Sequence, residues 1–163
     1  HPKTLFELTS PVNFVELKSS VFHINDVQIT NTHLLHPGLS LGFRIEYRNH
    51  VIAYVTDNEI IADSETGRYN WENIGDIINN ADLLIHDGQY TRNEYQNKVG
   101  WGHSDINRVV DISNNYGVKE LQLFHHDPTH TDKDLRLMVA EARKSSTTKV
   151  RIFAAREKEE FYF

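Results

Sequence analysis

The hydropathy pattern of this 163-residue chain changes at Asp57, and that change limits the fold more than any other feature. Before it, short apolar runs pair across turn-forming residues. Val21-Phe22-His23-Ile24 and Val27-Gln28-Ile29-Thr30 flank Asn25-Asp26, which suits a tight turn. Residues 41–47 and 51–56 flank Arg48-Asn49-His50, where Asn49 is expected to take the left-handed conformation. After Asp57, helical periodicity alternates with short strands. Trp71, Ile74, Ile77 and Ile78 share one face of a helix over 71–79, and Asp82-Leu83-Leu84-Ile85-His86 reads as a buried strand. Ser104 is placed to cap a helix whose Ile106, Val109, Val110 and Ile112 face inward, with Gly117 at its C-terminal cap. Thr131 and Asp134 form a capping-box-like start to a helix through Leu135, Leu137, Met138 and Ala142, and 149–155 is the last strand. Hairpins followed by this alternation imply an α/β fold, a mixed or parallel sheet with helices packed on it. Residues 1–20 carry Pro2 and Pro11 and no sustained period, and read as an irregular or edge segment.

Size and composition fit one domain over residues 1–163, with 39% hydrophobic residues to build a core. No apolar run is long enough to span a bilayer, and the first residues lack a signal peptide's basic start and hydrophobic stretch. The expectation is a cytoplasmic protein with no membrane partner. The chain has no cysteine, so any metal must be held by imidazole and carboxylate, and ten histidines are available. A formal charge of -6 argues against a surface that tracks long nucleic acid, which draws on clustered Lys and Arg. A small anionic substrate remains compatible, because a bound cation reverses the local sign.

Isolated His and Asp residues stand where apolar strands run out. His36 precedes Leu41-Gly42-Phe43-Arg44-Ile45, Asp57 ends Val51-Ile52-Ala53-Tyr54-Val55-Thr56, and His125 ends Leu121-Gln122-Leu123-Phe124. Zinc takes His nitrogen and Asp oxygen, and strand ends fix such ligands more firmly than loop tips. Each residue also has a plainer reading. His36 beside Pro37-Gly38 suits a turn, Asp57 suits a loop cap, and Glu59 is a weaker ligand candidate because it lies further from the strand end. His33 competes with His36 but suits a half-buried, hydrogen-bonded role in its strand. In the cluster from His125 to Asp132, His126 should point away from His125, Asp127 is placed to orient an imidazole, and Asp132 serves a helix N-terminus. His86 and Asp87 precede Gly88, and His103 lies between Gly102 and Ser104 near a helix start. There the helix dipole disfavours the imidazolium and a carboxylate such as Asp87 favours it.

Taken in order, His36-Pro37-Gly38, Tyr54-Val55-Thr56-Asp57, Ala81-Asp82-Leu83-Leu84-Ile85-His86-Asp87, Gly102-His103-Ser104 and Leu121-Gln122-Leu123-Phe124-His125 resemble the C-terminal half of the metallo-β-lactamase superfamily. Within it they are most similar to the branch of tRNase Z and related phosphodiesterases. The resemblance implies half of an αββα sandwich, with His36 on a first metal, Asp57 bridging two and His125 on the second. It also implies that His103 protonates the leaving oxygen with support from Asp87, where the branch often has Glu. Two zinc ions per complete subunit are implied, with manganese or iron as alternatives.

The family's His-x-His-x-Asp-His run, expected before His36, is missing from the sequence. The expectation is therefore a domain incomplete at its N-terminus. The other half would lie in a longer protein, which the start at His1 favours, or on a companion chain, and one sheet face would need covering by that half or by self-association. The implied activity is dinuclear hydrolysis of a small phosphodiester or nucleotide, with the isolated chain inactive. The alternatives are hydrolysis of a lactone, thioester or β-lactam on the same scaffold, or a non-catalytic partner with a degenerate site.

Overall fold

The computed structural model describes residues 15–17, 19–61 and 65–163. Most of the segment expected to be irregular, residues 1–14 and 18, lies outside the described residues. Seven strands form one sheet in chain order: β1 (Val21–Ile24), β2 (Val27–His33), β3 (Leu41–Tyr47), β4 (His50–Val55), β5 (Leu83–Asp87), β6 (Glu120–Phe124) and β7 (Arg151–Ala154). The helices are α1 (Glu65–Ile78), the short α2 (Arg92–Tyr95), α3 (Ile106–Asn115) and α4 (Asp132–Ser145). Pairing is antiparallel from β1 to β4 and parallel from β4 to β7. The change of hydropathy pattern at Asp57 therefore marks the change from hairpins to crossovers.

Both hairpins turn on two residues, and the first of each takes a positive φ, 54° at Asn25 and 54° at Arg48. The left-handed residue of the second turn is thus Arg48 and not Asn49, because His50 already pairs with Tyr47 as the first residue of β4. The cap of α3 also differs from expectation. Asp105 occupies it and accepts the Asn107 N–H, whereas the Ser104 hydroxyl donates to the Asn58 carbonyl at 2.6 Å and accepts the Ile60 N–H at 3.1 Å. Thr131 and Asp134 form the expected capping box of α4. Gly117, at φ 67°, follows the Tyr116 cap of α3.

Two rows of strand residues define the two faces of the sheet. Ala53, Leu84, Leu121 and Ile152 are in register, and they share one apolar cluster with Ile74, Ile77 and Ile78 of α1, Val109, Val110 and Ile112 of α3, and Met138, Val139 and Ala142 of α4. On α4 the inward stripe is Leu135, Met138, Val139 and Ala142, a helical i, i+3, i+4, i+7 set, so Leu137 falls outside it and is exposed. The opposite face carries the aligned row Phe43, Tyr54, Ile85, Gln122 and Phe153. Tyr54 and Phe153 are each 36% exposed, so this second face is left partly open. Among the described residues, no helix is long and apolar enough to cross a membrane.

Candidate metal centre

Parallel pairing aligns the C-terminal ends of β4, β5 and β6, the edge at which open α/β sheets present their chemistry. Asp57, Asp87 and His125 all lie at this edge, and the segment after α2 brings His103 to it. One ligand atom from each of Asp57, Asp87, His103 and His125 lies within 4.8 Å of the others.

The four groups form two pairs with different surroundings. Asp57 Oδ1 and His125 Nε2 are 2.9 Å apart, both side chains partly open to solvent. His103 Nδ1 and Asp87 Oδ2 are 2.5 Å apart, with the Asp87 side chain fully buried. The other Asp87 oxygen accepts the backbone N–H groups of Gln89 at 3.1 Å and Ser104 at 3.3 Å. The Asp87 hydrogen bond raises the His103 pKa above its ordinary value, outweighing the burial that would lower it. The two pairs are in contact, since the His103 and His125 rings stack with centroids 4.7 Å apart.

His36 stands beside this group, its ring edge-on to His103 at 5.4 Å between centroids, and its Nδ1 accepts the Gly38 N–H at 3.1 Å. It is not one of the four whose ligand atoms converge. Gly102 makes the approach of His36 feasible, because a Cβ built there would lie 2.3 Å from His36 Cδ2 and 2.5 Å from Pro37 Cδ.

The neighbouring candidates divide: Asp132 lies in the first turn of α4, as its sequence context indicates, whereas others do different work. Asp127 accepts the N–H and hydroxyl of its own Thr129, closing a local turn instead of orienting an imidazole. His130 pairs with Glu94 at 2.8 Å. Burial lowers the His126 pKa, and both its ring nitrogens lack a partner. His33 is exposed at the end of β2, so it is not half-buried as expected. The buried carboxylate of Glu59, a weaker ligand candidate in sequence, is bonded to Tyr95, Gly100 and Gly102. That arrangement has no local sequence signal, because the partners lie 36 to 43 positions away.

The donor set, imidazole nitrogen and carboxylate oxygen without sulfur, suits a divalent cation. His125 Nε2 is the nitrogen that faces Asp57, while its Nδ1, on the other side of the ring, is buried without a hydrogen-bond partner.

Residues 4–126 match a family model described as the beta-lactamase superfamily domain. Ribonuclease Z of Brevibacillus brevis is 34% identical over 59 residues, which cover 36% of this chain and 19% of that protein. The crystal structure of the metallo-beta-lactamase fold protein YhfI from Bacillus subtilis aligns with a TM-score of 0.63 at 22% identity, over 82% of this chain and 49% of that one. Human tRNase Z, short form, aligns with a TM-score of 0.53 at 19% identity, over 67% of this chain and 40% of that one. At those identities the two structures speak to the fold alone. The chain spans about half of the YhfI chain and less of the other two.

Proposed function

We propose that this chain, which belongs to the beta-lactamase superfamily, carries part of the active site of a metal-dependent hydrolase that cleaves a phosphodiester. The observation that carries the reading is the division of labour between the two pairs. Asp57 and His125, partly open to solvent, would hold the cation, with His36 beside them as a further ligand in a dinuclear arrangement. His103 and Asp87, joined at 2.5 Å, form an acid and the group that orients it.

A bound divalent cation would supply Lewis acidity, polarising a phosphoryl oxygen and acidifying an attacking water. The chain's own residues would do the rest. Asp87 accepts a hydrogen bond from His103 Nδ1–H, which fixes the ring and leaves Nε2 as the proton-donating atom. The raised His103 pKa keeps an imidazolium population near neutral pH, and Nε2–H would protonate the departing alkoxide. Stacking on His125 holds the donor beside the ligand pair. A phosphodiester is supported over an acyl substrate by the Gly102-His103-Ser104 and His86-Asp87 segments and by the relative named ribonuclease Z. With a formal charge of -6, a small phosphodiester or nucleotide fits better than a long nucleic acid.

The test is zinc loading of the intact protein, followed by assays on bis-p-nitrophenyl phosphate, cyclic nucleotides and an acyl panel of lactone, thioester and β-lactam. Phosphodiester turnover that falls together with zinc content in His125→Ala is the expected result. Turnover confined to the acyl panel, or a His125→Ala variant with full zinc content and rate, would refute the reading.

A further inference from the structure

We propose that Glu59 is a positioning residue that holds His103 in place by anchoring the 95–102 segment from inside the protein. The proposal rests on the reading of His103 as proton donor. Glu59 is only 2% exposed, and a buried carboxylate needs its lone pairs satisfied. Its donors all come from one short stretch of chain. Tyr95 Oη–H and Gly100 N–H donate to Oε1, each at 2.7 Å, and Gly102 N–H donates to Oε2 at 2.8 Å. Gly100 and Gly102 have φ of 85° and 88°, a backbone shape that aims both amides inward and that side chains rarely permit.

The consequence for His103 follows from its neighbours. Gly102, immediately before it, is tied to Glu59, and Ser104, immediately after it, is tied to the residues on either side of Glu59. Ser104 donates to the Asn58 carbonyl and accepts the Ile60 N–H. His103 is thus bracketed by residues 58–60, the continuation of the loop that carries Asp57. One short segment, residues 57–60, carries Asp57 and brackets the proton donor, with Glu59 holding the residue before it. Gly102 also abuts His36, so the same anchor sets the spacing of His36 and His103.

Glu59→Gln in the intact protein tests this, because the amide keeps the shape but turns an NH2 toward one of the inward donors. Three readouts are expected to separate. Amide hydrogen exchange at Gly100 and Gly102 should speed up by at least about tenfold while β5 and β6 stay protected. Zinc content should be unchanged. Turnover of a dinucleotide, which leaves as an alkoxide, should drop ~10- to 100-fold, the scale of a small misplacement, while bis-p-nitrophenyl phosphate, whose leaving group needs no proton, is hydrolysed as before. Loss of zinc with equal loss on both esters would make Glu59 part of the ligand set and overturn the proposal, as would unchanged exchange at both glycines.

If Glu59→Gln does not fold, Tyr95→Phe removes one donor and leaves both amide bonds. It should speed Gly100 exchange and slow the dinucleotide several-fold, and no change in either would count against the proposal. A wild-type protein without phosphodiesterase activity would refute the reaction assigned above, whereas the exchange measurement on Glu59→Gln still decides whether Glu59 anchors the segment.

Discussion

Asp57 and His125 meet at 2.9 Å from the ends of two different strands, and each does so from a left-handed backbone, φ 52° and 53°. Residues other than Gly seldom adopt this region, and the cost is sustained only where the surroundings over-determine it. Here each turn lifts a side chain off the strand end and aims it across the sheet edge at its partner. Asn25 and Arg48 take the same region in the hairpin turns, so what sets Asp57 and His125 apart is that their side chains meet.

Asp57→Asn and Asp57→Val separate the backbone term from the carboxylate. Both remove the charge facing His125, but Asn tolerates the left-handed region and a β-branched residue does not. In urea unfolding with chelator present, Asp57→Val should be about 1–2 kcal/mol less stable than Asp57→Asn. Equal stabilities would mean that the conformation carries no strain.

Gly100→Ala and Gly102→Ala form a second contrast. Both glycines have positive φ, so each substitution should cost about 1–2 kcal/mol in backbone strain. Nothing lies within 4 Å of a Cβ at Gly100, whereas at Gly102 it would collide with His36 and Pro37. Gly102→Ala should therefore lose a further ~1–3 kcal/mol from overpacking and displace His36, and Gly100→Ala should not. Thermal unfolding of the two variants, with the His36 ring resonances as a local probe, measures both effects.

How much of this was readable in the sequence depends on the range of the interaction. The first hairpin, the Thr131–Asp134 box and the Gly117 cap rest on neighbours within a few positions and stand where the pattern puts them, while the second hairpin is present with a tighter turn. The helix expected over 71–79 spans Glu65–Ile78, and its first turns escape the sequence pattern because they lack the apolar period that marks the rest. Within those turns, Asn70 is fixed by a bond from its Nδ2 to Asn58 Oδ1. Ser104 suits a cap by type, yet its hydroxyl is engaged by residues 44 and 46 positions away. Glu59 is hidden for the same reason. Candidate ligands are visible as residue types at strand ends, but which of them converge depends on sheet register.

Asp82, at the opposite end of the sheet, is one of the carboxylates, with Glu94, Asp127 and Asp134, held below their usual values. Burial alone would raise its pKa, but the hydrogen bonds from Lys119 Nζ at 2.6 Å and Val51 N–H at 2.8 Å prevail and hold it below the usual carboxylate value. A carboxyl group whose pKa is lower folded than unfolded stabilises the protein above the unfolded value of about 3.9, and that stabilisation is lost as pH falls through the folded one. The urea midpoint should fall below about pH 4 in the wild type, and Asp82→Asn should make that acid limb shallower, leaving the share of the other lowered carboxylates. Parallel acid limbs for the two proteins would remove Asp82 from the account.

Asp87→Asn is the sharpest test of the acid. Its Oδ1 serves the amides of Gln89 and Ser104, so an asparagine oxygen must stay there and its NH2 must face His103 Nδ1. A donor in that place forces Nδ1 to act as an acceptor, moves the ring proton to Nε2 and removes the carboxylate that favours the imidazolium. The variant should therefore fold and bind zinc as the wild type does, because Asp57 and His125 are untouched. Its turnover of a dinucleotide should fall ~10²- to 10⁴-fold while bis-p-nitrophenyl phosphate is little affected. Nitrogen-15 shifts of His103 in the metal-free protein report the tautomer change independently of rate. Zinc lost along with activity would place Asp87, which lies within 4.8 Å of the other three groups, among the ligands instead.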